Sequence, residues 1–135
     1  MNFHEIRDTL TTQDPHSFLS AAKMFSEQEE DPFFLFQDNA EETFEENVNF
    51  LSSEETLSSE DLDYWKEHDF TIVCQTIDGD YIGGNTDETF VIPSSLYKLD
   101  IEIYPLFLAD FFTAYEEGKI ESNILPPHSP DNNKD

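Results

Sequence analysis

An α+β fold, with a central antiparallel sheet and flanking helices, follows from three features of the chain. Apolar residues recur at helical spacing before residue 70 and again after residue 105. Between about 70 and 92, β-branched and aromatic runs alternate with turn pairs. Thirteen Phe give both textures enough bulk to share a core. With 135 residues the chain suits a single domain, expected over 1–125, able to bury about two-thirds of its unfolded surface.

The elements follow in order. Phe3, Ile6 and Leu10 share one helical face until Thr11–Gln13 break the pattern. Asp14-Pro15 is a start signal, because Asp accepts from free helix N–H groups and Pro is tolerated at the first helical position. A second helix is expected from Pro15 to about Glu29, with Phe18, Leu19, Ala22 and Phe25 as its apolar stripe and Asp31-Pro32 as its stop. Phe33–Phe36 reads as a short buried strand, although periodicity also admits a helical turn. Asn39 is placed to cap a third helix carrying Phe44, Val48 and Leu51 on its inner face. Ser52–Glu60 is polar and reads as a mobile linker or loop, and Ser58 or Ser59 caps a short helix through Leu62, Tyr64, Trp65 and Lys66.

From Phe70 the texture changes. Phe70–Thr76 is a strand entering a hairpin at Asp78-Gly79, and Asp80-Tyr81-Ile82 is the return, stopped by Gly83-Gly84-Asn85. Thr89–Ile92 is a third strand, stopped by Pro93. Pro105 is expected to open a last helix whose Leu106, Leu108, Phe111, Phe112 and Tyr115 pack on the sheet, with Gly118 as its C-terminal cap. Residues 126–135 are polar and proline-rich and are expected to form a disordered tail.

Charge narrows the partner. Thirty-one acids against six Lys and Arg give a formal net charge of -25. A field of that sign repels nucleic acid and anionic membranes and attracts a basic protein. Charge is locally dense in two places: the helix-start cluster Glu41, Glu42, Glu45 and Glu46, and the turn acids Asp78, Asp80, Asp87 and Glu88. The cluster also has a local reason, since acids near a helix N-terminus are favoured by the dipole. Interface energy concentrates in anchored aromatic residues, which adds Trp65 and Tyr81 to the candidate partner-binding set. Trp65 also reads as a helix end covering the sheet.

No enzyme, metal or cofactor is indicated. Cys74 lies mid-strand without a neighbouring base, the four His lack metal spacing, and the four glycines assemble no phosphate loop. Calcium at Asp78-Gly79-Asp80 fails the EF-hand template, which would place Ile82 and Thr89 at ligand positions. A lone Cys, the lack of a secretory signal and the lack of a long apolar run lead to the expectation of a cytoplasmic protein.

Trp65, the strand Phe70–Gln75, the hairpin Asp78-Gly79-Asp80-Tyr81-Ile82, the strand Thr89–Ile92 and the closing helix Leu106–Phe112 resemble, in order and in words, the C-terminal half of the SUKH superfamily. That superfamily includes bacterial immunity proteins and relatives of a yeast cell-wall synthesis regulator. The resemblance spans roughly residues 62–120. The N-terminal half lacks the superfamily's early Leu-Pro and Tyr-rich helix. The resemblance implies a SUKH-like α+β domain that neutralises a polymorphic toxin domain, often a nuclease, by steric and electrostatic occlusion. A regulatory or scaffold domain of the same fold and an acidic nucleic-acid mimic stand as alternatives. The sequence leaves the oligomeric state open.

Overall fold

A computed structural model describes residues 3–26, 33–37, 39–51 and 53–125. In chain order they form α1 (Phe3–Thr9), α2 (Pro15–Ser26), β1 (Phe34–Phe36), α3 (Ala40–Leu51), α4 (Ser59–Glu67), β2 (Thr71–Thr76), β3 (Tyr81–Gly84), β4 (Thr89–Ile92), a 3-10 turn (Lys98–Asp100), β5 (Glu102–Tyr104) and α5 (Leu108–Glu116). The strands form one antiparallel meander, β1-β2-β3-β4-β5. This is the α+β arrangement expected, with helices on both faces of the sheet.

One face carries α1, α2 and α5 around Phe112. The Phe112 ring stacks on Phe3 at 4.8 Å and on Phe18 at 5.4 Å, and meets Phe34 edge-on at 5.0 Å. The other face carries α3 and α4 over Ile72, Tyr81 and Ile92. A bulge in β2 makes the two faces possible from one apolar run. Ile72 pairs with Gly83 and Cys74 pairs with Ile82, so Val73 is the extra residue. Because side chains alternate along a strand, Ile72 and Cys74 would otherwise share a face. With the bulge, Ile72 joins the α3–α4 core, while Val73 and Cys74 join the phenylalanine core.

Several expectations need correction. The strand expected at Phe33–Phe36 is present as β1, but a further strand, Glu102–Tyr104, joins the far edge of the sheet where no strand was expected. Gly83 and Gly84 do not stop β3 but lie inside it, paired with Phe90 and Thr89, at positions where a side chain would strike the neighbouring backbone. A Cβ at Gly83 would stand 2.5 Å from the Thr71 carbonyl oxygen, and one at Gly84 2.2 Å from that of Glu88. The expected linker is docked over its described residues 53–60. Leu57 is buried and its N–H donates to the Leu96 carbonyl at 3.0 Å, while Thr56 bridges to Tyr97. Leu51 is exposed instead of sharing the buried α3 stripe of Phe44 and Val48.

Pro105 lies in a turn ahead of α5, which starts at Leu108. Gly118, at φ +76°, caps that helix as expected: its N–H donates to Tyr115 and that of Lys119 to Ala114. The last turn expected for the second helix and the expected tail lie outside the described residues.

Candidate functional site

Trp65, Phe70 and Phe90 form an aromatic cluster beside α4, and local sequence fixes both ends of that helix. Ser58 and Asp61 form a reciprocal capping box at its start. At its end Asp69 takes φ +63°, with its N–H on the Lys66 carbonyl and the Phe70 N–H on that of Trp65. This termination brings the residue after the turn against the last helical turn. Trp65 and Phe70 accordingly pack at 4.8 Å, and Phe90 from β4 closes the cluster at 5.1 Å and 5.0 Å.

These rings floor a cleft of about 560 Å³, walled by Tyr64, His68, Ile101 and Ile103 and edged by Asp61, Glu88 and Lys98. A second depression of about 490 Å³, lined by Glu54, Glu55, Tyr97, Leu99 and Asp100, lies on the other side of Lys98, which lines both. The Lys98 ammonium stands 3.3 Å from the Asp61 carboxylate. Asp61 titrates below its ordinary value: burial opposes the shift, but bonds from Ser58 and Lys98 outweigh it.

The ten residues singled out from sequence do not converge. Trp65 and Glu88 line the cleft. Asp78 and Asp80 sit at the β2–β3 turn, at the opposite end of β3 from Asp87 and Glu88. Four strand residues separate the turns, about 13 Å, so these acids cannot share one cation. Of the turn carboxylates, that of Asp80 also has structural work. Asp80 accepts from the Ser94 N–H at 2.9 Å, and the N–H groups of Asp87 and Glu88 converge on the Asn85 side chain at 2.9 and 2.8 Å. Tyr81 is buried under α3, edge-on to Phe44 at 5.0 Å, with its hydroxyl bonded to Asn47, so it is a core residue and not a surface anchor.

On α3, Glu42 and Glu46 face water, while Glu45 pairs with Lys66. Glu41 is half-buried, its carboxylate accepting from the Ile72 N–H at 3.3 Å. Tyr64, Phe90, Lys98 and Ile103 belong to the cleft as well, and the last three carry no feature in the sequence that marks them as site residues. Only the pairing of Phe90 with Ile103 places those two together, and no periodicity reports that.

The electrostatics are one-sided. Residues 39–70 hold eleven acids and a single lysine, Lys66, which is paired. Elsewhere Arg7 lies 3.5 Å from Asp110 and Lys119 lies 3.0 Å from Glu117. No family model matches the chain, and neither a curated protein nor a solved structure matches it.

Proposed function

We propose that this protein is a non-enzymatic binding module that engages a basic protein through its α3–α4 side. The observation that carries the reading is the concentration of carboxylates there, eleven over residues 39–70, with the one lysine tied to Glu45. Such a field speeds encounter with a cationic partner, while half-buried aromatic rings beside it supply contact energy that charge alone does not.

In its finer form the proposal is a SUKH-like immunity protein, acting in the cytoplasm, that occludes the cationic substrate-binding surface of a toxin domain. Its support is the order of strand, Gly-Asp hairpin, strand and Phe-rich closing helix. A buried free thiol, Cys74, suits a reducing compartment.

The test is affinity capture from host lysate at moderate salt, with mass spectrometry of the retained proteins. One dominant basic protein, whose activity is abolished by stoichiometric addition of this chain, is the expected outcome. A mixture of ribosomal and DNA-binding proteins, released together as salt rises, would instead establish phosphate mimicry.

A further inference from the structure

We infer that the two depressions divided by Lys98 form one groove for an extended segment of the basic partner, an inference that rests on the reading above. One large apolar side chain of that segment sits on Trp65, Phe70 and Phe90. Lys or Arg residues flanking it meet Glu88 on one side and Glu54, Glu55 and Asp100 on the other.

The groove floor is apolar and open. Leu99 is 99% and Ile103 55% exposed, and they stand at the two depressions. Five carboxylates line the pair of depressions against one ammonium, and that ammonium is already held by Asp61. Charge complementarity therefore selects the occupant. A second copy of this chain would bring carboxylates to carboxylates, and an uncharged ligand would leave the acidic rim unanswered. The apolar side chain supplies affinity, and the cations fix register on either side of it.

The test is titration of the 15N-labelled full chain with two synthetic peptides. One carries a Trp between two pairs of Arg, and the other has Gly in place of the Trp. The expected result is perturbation of the Trp65 indole N–H and of Phe90, Lys98 and Ile103, with the Gly peptide binding about tenfold more weakly. Ile103→Lys should weaken the Trp peptide by a similar factor. Leu99→Lys, at a fully exposed site that cannot disturb folding, should weaken it through the flanking Arg. Equal affinity for the two peptides, indifference to Leu99→Lys, or no binding of either peptide would overturn the groove. Perturbation centred on Glu42 and Glu46 would overturn it while leaving the acidic-face reading intact. That reading fails separately, if lysate capture retains no basic protein.

Discussion

Glu41 shows how a surface acid can be drawn into the fold. Burial raises its pKa above the ordinary carboxylate value, the Ile72 N–H opposes that shift, and the neighbouring Glu45 adds to it. A carboxyl whose folded pKa exceeds its unfolded one binds protons more readily in the native state. Its contribution to stability therefore falls as pH rises through that window and recovers on acidification. Glu41→Gln keeps a carbonyl acceptor for Ile72 and removes the charge. Its Tm at pH 7 should equal or exceed that of the parent, with a flatter profile from the ordinary carboxylate range upward. Thermal melts across that range decide it, and a lower Tm at pH 7 would refute the assignment. The glycine pair behaves oppositely. Gly84→Ala forces a methyl against the Glu88 carbonyl oxygen and should cost about 2 kcal/mol or more in urea unfolding.

At the scale of elements, α4 carries the most testable chemistry. Ser58→Ala removes one half of the capping box and should cost about 1 kcal/mol. Asp69 holds a left-handed conformation that glycine adopts freely, and its negative charge faces the unfavourable end of the helix dipole. Asp69→Gly should therefore stabilise by about 0.5–1 kcal/mol in the same assay; a loss of stability would show that the aspartate has a partner worth more than the strain. Caps of this kind are read from a few adjacent residues, and the start of α4 was legible for that reason, as were β2, β4 and the Gly79 turn. What escaped depends on distant partners. β5 is a strand only because Phe90 and Val91 pair with Ile103 and Glu102. Leu57 is a lone apolar residue in a polar stretch, so no pattern announces that it docks. Tyr81 alternates correctly with Ile82, yet nothing local says that α3 covers its face. The groove was half legible: Trp65 and Glu88 stood out by type, whereas Phe90 and Ile103 join them through register alone.

The whole molecule is governed by its charge, which acts with opposite sign on folding and on binding. A formal net charge of -25 repels itself in the compact state. The ion pairs that salt would weaken lie at the surface, where solvent already screens them. Raising ionic strength shortens the screening length from about 30 Å at 0.01 M to about 3 Å at 1 M. Salt should therefore raise the Tm at neutral pH, and a falling Tm would mean that the pairs outweigh the repulsion. Association with a basic partner should slow over the same range, because steering is screened while apolar contacts are not. Glu42 and Glu46 separate the two effects, being exposed on α3. Reversing both to Lys should raise the low-salt Tm and, in stopped-flow binding, lower the association rate more than it changes dissociation. A stability gain with an unchanged association rate would make this part of the acidic face a solvated surface and nothing more. A gain bought with slower capture would mean that the chain retains its self-repulsion for the sake of the partner.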